Sequence, residues 1–165
     1  MSSGIFRGLV ALVVIAGGVF LWWNLRPEQK VNRQVDEVLE EIRFQRLSLK
    51  TTEDRKRELA EVLSDSIAVS GDRPIPSTTL NQETFLEKLT ELHGYLSILK
   101  IEETGERVIE VEGDSATATV PTSITGAAGE KYSRTMPWTL RLTFAKSDRW
   151  RLTELHGTTT EEVDL

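Results

Sequence analysis

The sequence predicts an α+β protein: an N-terminal transmembrane helix, then a domain of three helices packed on a curved antiparallel β-sheet. Three observations carry that expectation. An uncharged run of eighteen residues lies near the N-terminus, apolar stripes of helical period occupy the stretch that follows, and alternation of period two dominates after Gly94. The 165 residues divide accordingly into a transmembrane signal anchor (1–27), an α+β domain (28–157) and a flexible acidic tail (158–165).

The uncharged run, residues 8–25, is bounded by Arg7 and Arg26 and at ~1.5 Å rise per residue spans roughly 27 Å, close to the thickness of a bilayer core. Its ends suit that role. Arg7 and Arg26 can reach toward headgroups, Trp22 and Trp23 sit where an aromatic belt belongs, and Pro27 follows just outside. A cleaved secretory signal competes, with an apolar region at 9–15 and small residues at Ala16, Gly17 and Gly18. Cleavage there would leave Val-Phe-Leu-Trp-Trp at the new terminus, so a retained anchor accounts for more of the residues. Arg26, Lys30 and Arg33 against Arg7 lean toward a cytoplasmic domain. The short tail ahead of the apolar run is instead the layout of an uncleaved signal anchor, which carries the rest outward. The expectation is a single-pass protein of a bacterial-type cytoplasmic (inner) membrane, touching the bilayer through residues 5–25, with its domain extracytoplasmic.

Composition narrows the chemistry. Two of the 20 basic residues and none of the 26 acidic ones precede Pro27, so the remainder carries a net −8, which repels phosphate backbones and argues against a nucleic-acid partner. With no Cys and only His93 and His156, neither a metal centre nor a cofactor is expected.

From 29 to about 49, Val31, Val35, Val38, Leu39 and Ile42 form one apolar stripe on a charged helix. Thr51 or Thr52 offers an N-cap, Glu53 and Asp54 place negative charge in a first turn, and Leu59, Val62 and Leu63 continue an apolar face, predicting a second helix to about Ser64. A short β-branched run at 65–72 reads as a strand, and Arg73-Pro-Ile-Pro as a loop. Asn81 caps a third helix through His93, with Phe85, Leu89 and Leu92 on one face and Gly94 closing it. Strands are expected at 95–103, 107–112 and 115–124, with a turn at Gly113-Asp114. After a glycine turn at 126–129, Tyr132, Met136, Trp138, Leu140, Leu142 and Phe144 share one parity of a long strand, and Pro137 predicts a bulge or bend midway. Ser147-Asp148 turns the chain into a last strand at 149–157, where Trp150, Leu152, Glu154 and His156 share a parity.

This order resembles a known superfamily. The stretches Leu63-Ser-Asp-Ser-Ile-Ala-Val-Ser-Gly-Asp, Glu83-Thr-Phe-Leu-Glu-Lys-Leu, Val111-Glu-Gly-Asp-Ser-Ala-Thr-Ala-Thr-Val and Trp138-Thr-Leu-Arg-Leu-Thr-Phe-Ala-Lys-Ser-Asp-Arg-Trp-Arg-Leu look like the nuclear-transport-factor-2-like group, which includes SnoaL-like polyketide cyclases and ketosteroid isomerases. The resemblance covers about residues 31–157. It implies a cone of sheet and helices with a central pocket, used by some relatives for catalysis and by others for binding or dimerisation. It also points to Asp65 at the start of the first strand, and to Glu154 and His156 at the end of the last, as matches to acid and histidine positions of enzymes in the group.

Glu154, His156 and Asp65 are therefore the candidate catalytic residues, with Phe85, Trp138 and Trp150 as candidate pocket lining. Two residues apart on a strand, Glu154 and His156 project from one face, so the carboxylate could orient the imidazole as a general base; strand ends also carry polar residues simply to meet solvent. His93, beside Gly94, reads as a helix-closing residue. The function expected is non-catalytic. The cone domain binds a partner protein, a second copy in a homodimer or a small apolar ligand, as a subunit of an envelope assembly. The alternative is a membrane-tethered lyase, isomerase or cyclase acting on a hydrophobic molecule.

Deleting residues 1–27 is expected to release a folded, soluble protein from the membrane fraction. A truncated chain that stays with membranes after carbonate washing, or a full-length chain that is soluble, would contradict the anchor.

Overall fold

A computed structural model describes residues 26–45, 50–72, 75–129 and 132–159. The anchor residues Arg7, Trp22 and Trp23, and residues 160–165 of the tail, lie outside the described residues; Arg26 is the extended residue that precedes the first helix. Among the described residues no helix is long and apolar enough to cross a membrane.

The chain runs α1 (Pro27–Ile42), β1 (Phe44–Gln45), α2 (Thr52–Val62), β2 (Leu63–Gly71), β3 (Thr78–Asn81), α3 (Gln82–Tyr95), β4 (Ile98–Glu103), β5 (Val108–Glu112), β6 (Ser115–Ala128), β7 (Tyr132–Lys146) and β8 (Trp150–Thr159). The strands form one sheet in the order β1-β4-β6-β7-β8-β2-β3, with β5 pairing β6 beyond the end of β4. All pairs are antiparallel except β2 with β8, a parallel contact between strands far apart in the chain that the expected antiparallel sheet did not include. Three helices on an antiparallel sheet is the α+β architecture the sequence predicts.

Local chemistry sets the helix starts. Thr51 Oγ1 accepts the Asp54 N–H at 3.1 Å and Asn81 Oδ1 accepts the Thr84 N–H at 2.7 Å, each satisfying one orphan donor of a first turn. Pro27 occupies the first turn of α1, where a missing N–H costs nothing. The helix ends depart from expectation. α1 stops at Ile42 rather than near 49, because Arg43 turns extended and Phe44 pairs with Leu99 of β4. α3 continues through Gly94, which lacks a left-handed φ, to Tyr95, so β4 starts only at Ile98. Gly113, at φ 60°, does make the expected tight turn between β5 and β6.

Inward-facing side chains of β6, β7 and β8 meet the stripe of α1 in a single core: Val31, Val35 and Val38 against Ala118, Val120, Leu142, Phe144 and Leu152, all with no exposed surface. α2 adds Leu59 and Val62, and α3 adds Phe85. The alternation predicted for β7 holds in phase but not in depth. Phe144 and Leu142 are fully buried, Leu140 is 8% exposed, Trp138 and Met136 are half-buried, and Tyr132 is exposed. Trp138 is thus a rim residue rather than the centre of the core.

Neither proline of the long strands breaks its ladder. The carbonyl of Pro137 faces β8, where the Thr159 hydroxyl donates to it at 2.7 Å, and Trp138↔Thr159 is the last pair on that side among the described residues. The bulge expected at Pro137 does not occur, and Pro137 pairs in register with Ser123. Pro121 lies where β6 passes from β4 to β5, and its carbonyl accepts the Thr104 N–H at 2.9 Å. Its missing donor falls in the gap between the β4 and β5 pairs.

Phe144→Ala is expected to lower stability by about 3 to 5 kcal/mol in denaturant unfolding, and Thr139→Ala, on the exposed parity, by less than about 0.5 kcal/mol. Equal losses would place the buried face on the wrong parity.

Candidate functional site

The β7–β8 hairpin decides which residues meet the helices. Phe144 pairs with Leu152, but the next β7 residue, Thr143, pairs with Glu154, so Thr153 is an extra residue in β8. Its hydroxyl donates to the Thr143 carbonyl at 3.1 Å, closing the bulge. One inserted residue inverts the alternation beyond it. Trp150 and Leu152 face inward; past the bulge Leu155 (opposite Leu142) and Gly157 (opposite Leu140) take over the inward face. Glu154, opposite Thr143, and His156, opposite Arg141, are turned to the convex face, away from the helices. The expectation that Glu154 and His156 share a face with Trp150 is therefore corrected. The three-residue step from Leu152 to Leu155, in a strand otherwise of period two, is the sequence signal that locates the bulge.

On the convex face Ser70 Oγ and His156 Nδ1 form a hydrogen bond of 2.8 Å across the parallel β2–β8 pair, and the Thr143 hydroxyl donates to Glu154 Oε2 at 3.4 Å. Asp65 lies in the stretch of β2 between Leu63 and Ala68 that slips register against β8, and it is exposed. The three candidate catalytic residues do not gather around an interior pocket.

Past Leu140 the inward parity of β7 stays apolar through Trp138 and Met136. Met136 and Ile124 are paired and half-buried, and Trp138 lies over Gly157, where an added Cβ would come within 3.3 Å of Trp138 Cε3 and 3.4 Å of Ile75 Cδ1. Thr122, opposite Trp138, is buried with its hydroxyl donating to the Trp138 carbonyl at 3.0 Å. No carboxylate or imidazole stands on the inward parity of β6, β7 or β8 among the described residues. Of the three aromatic candidates, Phe85 and Trp150 are buried in the core and only Trp138 reaches the rim.

The remaining polar clusters hold α1 in place. Arg107, 11% exposed, donates to the Asn32 carbonyl at 3.1 Å and to Asn32 Oδ1 at 2.6 Å, and bridges Asp36 and Glu103, fastening α1 to the β4–β5 connection. Lys50 bridges Glu41 of α1 and Glu58 of α2; burial raises the Glu41 carboxyl above its usual range, against the pull of Lys50. Beside α1 is an open cleft of about 440 Å³ lined by Asp36, Glu37, Glu40, Glu41, Arg43 and Glu103. Among the described residues no three Asp, Glu or His side chains are placed to hold a metal ion.

His93 does not close its own helix, as expected, but secures another. Its ring, 8% exposed, stacks on Phe44 with centroids 4.5 Å apart, and Nε2 lies 3.1 Å from the Ile42 carbonyl at the end of α1. The neutral tautomer carrying its proton on Nε2 donates there, satisfying one orphan carbonyl. Burial lowers the imidazole below its ordinary value of 6.5, the Ile42 carbonyl opposes that shift, and the Arg55 guanidinium adds to it.

No protein-family model matches the sequence, and a comparison with curated proteins returns no match. Solved structures do match. A nuclear transport factor 2-like superfamily protein from Salmonella enterica superposes with a TM-score of 0.64 at 13% identity, over 84% of this chain and 94% of that one. A scytalone-dehydratase-like protein from Novosphingobium aromaticivorans gives 0.63 at 13% identity, over 81% and 83%. A dehydratase-like member of the same fold family from Streptomyces avermitilis gives 0.61 at 13% identity, over 81% and 96%. The described chain has the nuclear-transport-factor-2-like fold. At this identity the likeness extends to the fold alone.

His93 ties stability to pH. Because its folded value is depressed, its contribution is complete above about pH 6.5, the ordinary imidazole value, and is lost as pH falls below it. Replacing His93 by Gln, whose amide can still donate to Ile42, is expected to flatten the fall in stability between about pH 7 and pH 5 relative to the parent. Identical pH profiles for parent and variant would contradict the assignment.

Proposed function

We propose that this chain is a non-catalytic binding module, held at a membrane by residues 5–25, whose cone domain takes a partner segment or small apolar ligand at its concave mouth. The carrying observation is the bulge at Thr153, which turns Glu154 and His156 away from the face where the cone opens. The side chains on the inward rim (Trp138, Met136, Ile124 and Ile75) offer apolar surface and no acid or base. General-base chemistry needs a titrating group within hydrogen-bond reach of the substrate, and binding an apolar group needs only shape and dry surface.

A tether favours the same reading. Pro27 opens α1 directly after the anchor segment, so the domain is held close to the bilayer, which suits a subunit of an envelope assembly. Such a component works on what is beside it, whereas an enzyme for diffusible substrates gains nothing from being fixed in place.

The test uses residues 26–165. Nile red binding is expected to be lost in Trp138→Ala and kept in Glu154→Gln and His156→Asn, whose melting curves match the parent. Apolar ketones, enols and epoxides are expected to show no turnover. Turnover that vanishes in both Glu154→Gln and His156→Asn while their melting is unchanged would replace the binding module with an enzyme.

A further inference from the structure

The cleft beside α1 has a floor and a rim. Leu39 and Glu41, both buried, form the floor, and the exposed Asp36, Glu37 and Glu40 form the rim together with Glu103 of β4. Five carboxylates thus line it. Among the described residues three cations reach them: Arg107 on Asp36 and Glu103, Arg43 on Glu40, and Lys50 on Glu41, the last shared with Glu58. Glu37 accepts from the neutral Gln34 amide at 2.9 Å. The last turn of α1 holds no basic residue, so the negative end of the helix dipole adds to the surplus.

Two buried atoms on this cleft point to what it takes. Glu41 is 5% exposed; its Oε1 receives Lys50, whereas its Oε2 is buried with no hydrogen-bond partner among the described residues. The Arg43 Nε–H, on the same cleft, is likewise buried and unpartnered among them. Buried polar groups are ordinarily satisfied, and a charged oxygen left without a donor is the costliest exception. Burial outweighs Lys50 in setting the Glu41 carboxyl above its ordinary value, as too few donors would have it. The complement is a ligand that is cationic, donates N–H to Glu41 and offers an oxygen to Arg43. No three acidic or histidine side chains among the described residues are placed to hold a metal ion, and no aromatic ring lines the cleft to cage a quaternary ammonium, which has no N–H to give. A guanidinium or primary ammonium with a carbonyl oxygen nearby remains, which is the chemistry of a basic amino acid. The volume of about 440 Å³ lies within the range of small-molecule sites.

We propose that the acidic cleft beside α1 is a second binding site, taking the arginine-like or lysine-like unit of a basic amino acid, with its charged head on Glu41 and the rim carboxylates and its carbonyl on Arg43 Nε. None of the residues lining the cleft belongs to the concave rim, so this site stands apart from the mouth whether the mouth binds or catalyses.

The test is calorimetric titration of the full-length protein, purified in detergent, with free L-arginine, with Nα-acetyl-L-arginine amide, and with Nα-acetyl-L-citrulline amide as the neutral isostere. Saturable binding is expected for at least one arginine ligand, and binding at least about tenfold weaker for the citrulline one, since a hydrogen bond to a charged group is lost. Tighter binding of free L-arginine identifies the ligand as the amino acid itself, and tighter binding of the capped amide identifies it as a basic residue within a polypeptide. Glu41→Gln is expected to weaken the arginine ligand at least about tenfold and the exposed Glu37→Gln about two- to fivefold, with Glu91→Gln on α3 as an unaffected control. Glu37→Gln keeps the test valid if Glu41→Gln does not fold. Absence of saturable binding by both arginine ligands, equal affinity for the citrulline ligand, or parent-like affinity in every folded variant of Glu41 and Glu37 would overturn the proposal. So would loss of binding in a folded Trp138→Ala variant, which would put the ligand at the mouth.

Discussion

A single extra residue in the last strand governs what both faces of the sheet can do. A strand repeats every two residues, so the insertion of Thr153 exchanges inside for outside along the rest of β8. Without it Glu154 and His156 would point at the level of Leu142 and Leu140, into a core whose nearest side chains are aliphatic. A carboxylate there would lose its hydration with no hydrogen-bond donor to replace it, at a cost of several kcal/mol. With the bulge, Leu155 and Gly157 fill those rows, and the hydroxyl of Thr153 gives the Thr143 carbonyl a partner. Gly157 then matters for its size. Trp138 rests on its Cα, and the neighbouring Gly71 comes so close that a Cβ there would stand 2.4 Å from the Gly157 carbonyl oxygen.

Burial is uneven along the inward face of the sheet. α1 covers the inward face with Val31, Val35 and Val38, and small Ala116 and Ala118 below let the helix approach closely. Beyond Leu140 burial falls off along β7, leaving Trp138 and Met136 as a rim. α1 is fastened at both ends. Arg107 grips Asn32 and Asp36 in its first half, while His93 from α3 holds its last carbonyl and Lys50 holds Glu41.

Much of this was legible in the sequence because it rests on local rules. Thr51 and Asn81 cap their helices as their side chains dictate, Gly113-Asp114 makes its turn, and the parity of Leu140, Leu142 and Phe144 is the buried parity. What stayed hidden depends on partners distant in the chain. Phe44 leaves the helical pattern because Leu99 and His93, some fifty residues on, offer it a strand and a ring. Pro137 was a misleading bulge signal because a proline disturbs a ladder only where a neighbour needs its N–H, and toward β6 it pairs with Ser123 in unbroken register. The true bulge carries no glycine or proline, only the broken period from Leu152 to Leu155. That same break is why Glu154 and His156 share a parity with Trp150 along the sequence but a face with Thr143 and Arg141 in the fold.

The direction of the His156 ring is the most direct measure of whether the bulge separates the polar pair from the concave face. Nuclear Overhauser contacts from its ring protons in the folded domain read that direction at residue level. The expected result is contact with the Ser70 and Arg141 side chains and none with Leu140, Leu142 or Trp138. Contacts from the ring to Leu140 or Trp138, with none to Ser70, would place the imidazole inside the cone and contradict the assignment of the two faces.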